Sequence, residues 1–476
     1  MIPVSLFADQ TVAVLGLGRT GATAAKALAS GGALVLGWDD NPTLREVAKR
    51  EGINIINLAN YDWSSVKALI LSPGIPHTFP SPHPFVQQAK EAGVPIISDI
   101  EAFARTRPQA SLIGITGTNG KSTTTHLINH ILEQAQRLVQ MGGNVGVGVL
   151  ALEPLPPQGF YVFEMSSYQL ELTPTISFDA AVLLNLTPDH IARHGSFEGY
   201  IAAKEKIFSN QHSGQIAVIG LDNAEAESIY QQLIARNQQK VVGISAFKSV
   251  ENGIFIENDY LIDATQKQSD PILDLKQTAF LSGLQNRQNI AAAYAVCRHI
   301  GLTSTEIISG LKTFQGLIHR QEIIAVIDNV TYINDSKATN AASVALALNN
   351  FENIFWIVGG RPKSEGLNGL SSYYPRIKQA FVIGEALEDF SRTLTPYMQV
   401  TKSGHLDQAV HDAHKAASLS QTPYPVVLLS PACESLDQFK NFEDRGDCFK
   451  KYVERLPGLR GAIDQPPFLT LKSEDF

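Results

Sequence analysis

The sequence predicts an α/β protein of three domains, and three observations carry that expectation. At roughly 150 residues per domain, 476 residues correspond to about three domains. Short apolar runs alternate with helical stretches along most of the chain, the rhythm of parallel sheets whose strands are joined by helices. Two glycine-rich turns, at residues 16–21 and 117–120, each fall between a strand and a helix, where α/β folds hold phosphate groups.

Taken in order, residues 12–15 read as a buried strand and 22–29 as the helix after it. Residues 33–36, 68–71 and 95–98 supply further strands of a parallel sheet. The polar stretch RTRPQA at 105–110 contains proline and precedes a new strand, so a domain boundary falls near it. The second block opens on a strand at 112–116, a glycine-rich turn and a helix from Lys121. Strands at 159–163, 180–184 and 216–219 follow. Residues 250–276 form short alternating segments that read as an antiparallel excursion, and 289–300 is the helix that closes the block. After Gly316, strands at 323–327, 354–358, 379–383 and 426–429 restore the strand–helix rhythm. From Pro457 the chain mixes proline, glycine and charge and reads as a loose tail.

Composition narrows the class. Hydrophobic residues make up 44% and charged residues 18%, enough apolar material for several cores. The net charge of −8 argues against general binding to nucleic acid, whose phosphates call for Lys and Arg. No apolar run reaches the roughly 18 residues of a membrane span, and the start MIPVSLFADQ has no basic region of a secretory signal. Three cysteines without CxxC spacing suggest neither a disulfide framework nor a zinc site. The expectation is a cytoplasmic enzyme.

GLGRTG at 16–21 permits a tight turn under a pyrophosphate, and Asp39 or Asp40 ends the next strand, where an acid would meet a ribose. A nicotinamide oxidoreductase is one reading and close helix–strand packing another. No hydride-transfer site follows, which favours a nucleotide role without nicotinamide. TGTNGKST at 116–123 is the stronger signal. Gly117, Thr118, Asn119 and Gly120 can turn N–H groups toward phosphate oxygens, Lys121 can reach the outer phosphates, and Ser122, beside Thr123, can ligate Mg²⁺. Standard spacing would put the first glycine at 115, which is Ile, so Gly117 takes that place in a shorter loop.

Glu164 ends a strand, where a carboxylate faces a metal beside ATP or caps the next helix. His190 lies in a loop after the strand at 180–184 and suits a metal or a substrate, although loop histidines are commonly solvated. Lys204, on a predicted helix, reads by itself as solvent-facing. In the last block NDSKATN (334–340), GGRPK (359–363) and SPACESLDQFKNF (430–442) each follow a strand. Together they suggest a binding edge at the carboxyl ends of one sheet.

Together with SPGI (72–75), GGNVG (142–146), EMSSYQLE (164–171), TPDH (187–190), AAKEKI (202–207), GLIHR (316–320) and FEDRG (442–446), these motifs stand in the order found in the Mur ligases. The chain resembles that family from Val12 to about Leu456. The ATP loop is shared with folylpolyglutamate synthases, which makes such a ligase the nearest alternative. NDSKATN and the final motif resemble the D-glutamate-adding branch of the Mur ligases.

The resemblance implies a Rossmann-like UDP-binding domain over 1–98, a central P-loop-type ATP-binding domain over 99–315, a Rossmann-like amino-acid-binding domain over 316–456 and a tail over 457–476. It implies an ATP-dependent ligase of peptidoglycan precursor synthesis, adding D-glutamate to UDP-N-acetylmuramoyl-L-alanine through an acyl phosphate. ATP is the co-substrate, two magnesium ions assist, and the enzyme acts as a monomer with no nucleic-acid or membrane partner. The UDP substrate falls to Arg19, Thr20, Asp39 or Asp40, Ser72, Gly74, Asn144 and His190. ATP falls to Gly117, Thr118, Asn119, Gly120, Lys121, Ser122 and Thr123, with Asn289, Arg320 and Asp335 at adenine, phosphate and ribose. D-Glutamate falls to Thr339, Lys363, Ser435, Leu436 and Phe442, the last through its backbone N–H. In the family the lysine matching Lys204 is carbamylated and holds magnesium with the counterparts of Ser122, Glu164 and His190. Lys121, Glu164, His190 and Lys204 are then the catalytic group. The family's GxHN reads Gly283-Leu284-Gln285-Asn286 in this chain.

Overall fold

The computed structural model describes residues 1–265, 271–278, 281, 284–363 and 365–461, leaving aside the side chains of 284 and 285. These gather into two compact units, one of Met1–Thr278 with Asn286–Phe314, the other taking up the chain from Gln315. The variant GLQN motif at 283–286 begins outside the described residues.

The first unit carries two sheets. Its N-terminal sheet is wholly parallel, in the order Leu34–Trp38, Thr11–Leu15, Val66–Leu71, Ile96–Ile97. Val12, Ala13, Val14 and Leu15 are all buried because both faces of the sheet are covered, so the strand reads as a continuous apolar run. Alanines 24, 25 and 27 let the helix Arg19–Ser30 lie close on it. Ser98 caps the helix Asp99–Arg105 by accepting the N–H of Glu101. Phe103 of that helix meets Tyr161 and Phe163 of the second sheet edge-on at 5.1 and 5.2 Å, and the two sheets share one apolar cluster.

The second sheet has nine strands among the described residues. Their order is Pro271–Asp274, Tyr260–Asp263, Ile254–Glu257, Lys240–Ser245, Ile216–Gly220, Ala180–Leu183, Ser111–Thr116, Phe160–Glu164, Val139–Gly143. The first three pair antiparallel with one another, as the alternating segments of 250–276 suggest, and the rest are parallel. Residues 266–270 of that excursion lie outside the described residues. Lys240–Ser245 and Val139–Gly143 were not expected. Val139–Gly143 is a half-exposed edge strand ending in two glycines, with neither alternation nor an apolar run to mark it.

Among the described residues, the second unit is built on a seven-stranded sheet in the order Gln399–Gly404, Ile377–Ile383, Ile354–Gly359, Val426–Leu429, Val330–Asn334, Glu322–Ile327, Arg460–Gly461. Its start departs from the expected strand–helix rhythm. Glu322–Ile327 doubles back through Asp328 and Asn329, with φ of +47° and +66°, into an antiparallel partner. Two consecutive left-handed residues make the tight turn that suits a hairpin, and Asp-Asn is a pair that tolerates them. Of the stretch read as a tail, Arg460–Gly461 pairs with Val326 and Ile327, and 462–476 lie outside the described residues.

Candidate active site

Strand Ser111–Thr116 runs between Ala180–Leu183 and Phe160–Glu164, all three parallel, so their carboxyl ends open on one side of the sheet. Gly120, with φ of +83°, turns the chain into the helix Lys121–Gln134. A Cβ at that position would lie 2.3 Å from Asn289 Oδ1, so both the backbone and the neighbour require glycine. Asn289 is buried beneath the loop and accepts the Thr124 hydroxyl at 3.1 Å. Asn185 cradles the other side. Its carbonyl accepts the Thr118 N–H at 2.9 Å and its Oδ1 the Asn119 N–H at 2.8 Å. The Thr118 hydroxyl meets Tyr200 Oη at 3.0 Å. Lys121 Nζ donates to the carbonyls of Gly117 (2.9 Å) and Thr118 (2.8 Å), arching back over the loop. Ser122 and Thr123 follow in the first helical turn.

Lys204 is not solvent-facing; it is 2% exposed. Its Nζ donates to the same Gly117 carbonyl at 2.9 Å and to Thr116 Oγ1 at 3.2 Å, and lies 4.8 Å over the Tyr200 ring. Burial and then the charge of Lys121 hold this amine well below the ordinary lysine range, while Asp189 and Glu164 pull the other way. The periodicity contained the warning. Tyr200, Ala203 and Lys204 form the buried stripe of the helix Phe197–Glu205 at i, i+3 and i+4, which puts the lysine on the apolar face.

Glu164 is the last residue of its strand and 2% exposed. Its Oε1 accepts Asn144 Nδ2 at 2.7 Å, and its Oε2 has no hydrogen-bond partner among the described residues. The next helix is capped by Ser166, whose hydroxyl accepts the Gln169 N–H, so capping does not account for the acid. His190 is half-exposed, with φ of +52°, 5.1 Å from the Tyr168 ring and 3.5 Å from Asp189 Oδ2. Burial lowers its pKa, Asp189 opposes, and Lys121 and Lys204 add to the lowering. These mutual influences put Lys121, Glu164, Asp189, His190 and Lys204 in one electrostatic neighbourhood. Among the described residues no three His, Cys, Asp or Glu side chains form a ready metal group. The feature that fits a cation is the unpaired, buried oxygen of Glu164, whose shell would draw on other donors.

The N-terminal turn is built backbone against backbone. Gly16 has φ of +91°, and a Cβ on Gly21 would lie 1.7 Å from the Gly16 oxygen. Ser72 Oγ donates to that same oxygen at 2.9 Å. Arg19 and Thr20 open the helix over the turn. Asp39 is engaged with the turn, accepting the N–H groups of Leu17 (2.6 Å) and Asn41 (2.8 Å). Asp40 faces outward and takes Trp38 Nε1 at 3.2 Å and His83 Nε2 at 3.0 Å. Gly74 lies in a turn whose carbonyls, from Pro73 to Ile75, accept the Arg193 guanidinium at 3.2–3.4 Å. Arg193 also covers the Tyr168 ring at 4.6 Å. Sequence reasoning passed over this arginine, although it stands three residues from His190.

In the second unit, Val330–Asn334, Ile354–Gly359 and Val426–Leu429 are parallel neighbours, so the three polar loops do share one edge. Arg361–Pro362 and Cys433–Glu434 pair antiparallel across it, and Lys363 Nζ lies 3.9 Å from Glu434 Oε1. Thr339 is half-buried, Ser435 buried and Leu436 exposed, and Phe442 opens the helix Phe442–Glu454. Asp335 is buried, with its oxygens accepting Ser430 Oγ (2.8 Å) and the Gln321 N–H (3.2 Å). Burial pushes its carboxyl up to about 7 against the Ser430 bond and the charge of Arg320. The Arg320 Nε is buried without a hydrogen-bond partner among the described residues.

Residues 115–297 match the description of the Mur ligase middle domain. The UDP-N-acetylmuramoylalanine--D-glutamate ligase of Rhodospirillum rubrum is 46% identical over 467 residues, covering 97% of this chain and 98% of that protein. The protein of the same name from Phenylobacterium zucineum is 45% identical over 462 residues, covering 96% of this chain and 98% of that one. In fold the chain is similar to the UDP-N-acetylmuramate-alanine ligase MurC of Thermotoga maritima. That match has a TM-score of 0.57 and 18% identity, covering 94% of this chain and 99% of that one.

Proposed function

The chain belongs to the Mur ligase family, and we propose that it uses ATP to join the amine of D-glutamate to the alanyl carboxylate of UDP-N-acetylmuramoyl-L-alanine, in peptidoglycan precursor synthesis. One observation carries the chemistry: Lys121 and Lys204 converge on the carbonyl of Gly117, with the charge of Glu164 acting on Lys204.

Lys121 exchanges its loop carbonyls for oxygens of the γ-phosphoryl group, and the loop N–H groups take the remaining charge, the main demand of phosphoryl transfer. The alanyl carboxylate attacks the γ-phosphorus and ADP leaves, giving an acyl phosphate. The D-glutamate amine attacks the acyl carbon and loses a proton, and the tetrahedral intermediate expels inorganic phosphate to leave the amide. Exclusion of water protects the acyl phosphate meanwhile. Two magnesium ions, held by Glu164, Ser122, His190 and a carbamylated Lys204, would offset the charge of the triphosphate. The lowered pKa of Lys204 supports that modification, because the neutral amine, and not the ammonium, adds to carbon dioxide.

The turn at 16–21 takes the UDP end, with Arg19, Thr20 and Asp39 or Asp40 near uracil, Ser72, Gly74 and Asn144 toward the diphosphate, and His190 also on the UDP substrate. Asn289, Arg320 and Asp335 serve the adenosine end. Thr339, Lys363, Ser435, Leu436 and Phe442 hold D-glutamate. The domains are those at 1–98, 99–315 and 316–456. We further propose a cytoplasmic monomer without nucleic-acid or membrane partners, of which the net charge of −8 supports only the part concerning nucleic acid.

A phosphate-release assay with each substrate left out in turn tests the reaction. Phosphate is expected only when ATP, UDP-N-acetylmuramoyl-L-alanine and D-glutamate are all present, and Lys121→Ala should abolish nearly all of it. Release that ignores the UDP substrate, or retained turnover in Lys121→Ala, refutes the assignment.

A further inference from the structure

One turn into the helix Phe442–Glu454, Arg445 points back beneath the polar edge of the second unit. It is 1% exposed, and among the described residues no carboxylate stands at ion-pair distance from it. Its Nε donates to Ser336 Oγ at 3.0 Å, and its Nη2 to the carbonyls of Ser336 (2.8 Å) and Cys433 (3.1 Å). Ser336 Oγ donates in turn to the Phe442 carbonyl at 2.8 Å. The remaining nitrogen, Nη1, is buried without a partner among the described residues, and a Cβ on Gly360 would come within 3.2 Å of it. One guanidinium therefore reaches the loop of Thr339, the loop of Ser435, the turn before Lys363 and, through Ser336, the start of the helix at Phe442.

A planar fork of five donors suits such a junction, because its geometry fixes the spacing of every acceptor it holds. The charge is harder to explain as scaffold. No carboxylate pairs with it directly, the charges of Asp437 and Asp335 offset its burial only in part, and packing alone is usually served as well by an apolar residue of similar volume. Burial draws the guanidinium down to about 10 against the charges of Cys433, Asp437 and Asp335, so it stays charged at neutral pH.

We propose that Arg445 is the positioning residue of the amino-acid site, setting the spacing of the three loops and biasing their edge toward a dicarboxylate substrate. This rests on the proposed reaction, so the unmodified enzyme is assayed first. If it releases no phosphate with D-glutamate, the proposed function fails, whatever the role of Arg445. The test proper is the KM for each of the three substrates, with kcat, in Arg445→Lys, Arg445→Met and Ser336→Ala. Arg445→Lys should raise the KM for D-glutamate tenfold or more while the other two stay within twofold. Arg445→Met should raise it tenfold beyond Arg445→Lys. Ser336→Ala keeps the guanidinium, removes only one of its ties and should raise the same KM several-fold, which decides the matter if Arg445→Met does not fold. Unchanged KM for D-glutamate in Arg445→Lys and Ser336→Ala overturns the positioning role. Equal effects of Lys and Met at 445 overturn the charge bias.

Discussion

Asp99→Asn should make the protein more stable in mild alkali and leave it little changed in mild acid. Asp99 opens the helix Asp99–Arg105, is 3% exposed, and has an Oδ1 with no hydrogen-bond partner among the described residues. Burial pushes its carboxyl from 3.8 up to about 7, with the N–H groups of Ile100 and of Asp99 itself opposing. The folded chain therefore holds this proton more tightly than the unfolded chain. The contribution is fully present below about pH 4 and is lost as the pH rises to 7. At about 1.36 kcal/mol per pH unit, the ionised group costs of order 4 kcal/mol at the limit. Asn keeps an acceptor for the backbone N–H groups and carries no charge, but its amide nitrogen finds no acceptor, a loss of about 1–3 kcal/mol. The net gain at pH 8 is about 1–3 kcal/mol, or a rise in Tm of about 2–10 °C for a unit of this size. Paired thermal melts of the two proteins at pH 5 and pH 8, at constant ionic strength, measure it. Subtraction removes Asp335, which titrates in the same direction. An equal difference at both pH values, or a lower Tm for the variant at pH 8, would refute the reasoning.

Two further substitutions test the loop. Lys204→Met should fold with little change in Tm, because two lost hydrogen bonds of about 1 kcal/mol each are offset by removal of a desolvated amine. Its phosphate release should fall roughly 100- to 1,000-fold, and the unmodified enzyme should slow in bicarbonate-depleted buffer. Turnover above a tenth of normal, with no bicarbonate effect, would make Lys204 scaffold. Gly120→Ala places a Cβ 2.3 Å from Asn289 Oδ1 at a φ of +83°, so calorimetric ATP affinity should drop about tenfold, the equivalent of about 1.4 kcal/mol. Affinity for the UDP substrate should stay put; equal losses for both ligands would point to general misfolding.

Much of this was legible because local rules and tertiary structure agreed. The strands at 112–116 and 180–184 are buried on both faces and read as plain apolar runs, and the glycines of the two turns sit where backbone and neighbours leave no room for a side chain. The three polar loops of the last block were placed on one edge by the parallel topology alone. What the sequence hid were interactions among distant residues. Lys204 looked solvated because a lysine on a helix usually is, and only its alignment with Tyr200 betrayed the buried face. Arg193 reaches backbone carbonyls more than a hundred residues away and Arg445 reaches Ser336 at a similar separation, which leaves no spacing to recognise. The hairpin through Asp328 and Asn329 was within reach of turn chemistry, but only the strand before it was read.

The Gly117 oxygen shared by two amines has a thermodynamic corollary. Two ammonium groups crowded on one acceptor repel, so the pocket at rest favours shedding a proton from the more deeply buried amine. An arriving polyanion reverses that preference, and nucleotide uptake should then draw a proton from solution unless carbon dioxide has already claimed the site. Calorimetric heats measured in buffers of different ionisation enthalpy would expose that exchange, and would differ between carbonate-free and carbonate-saturated enzyme.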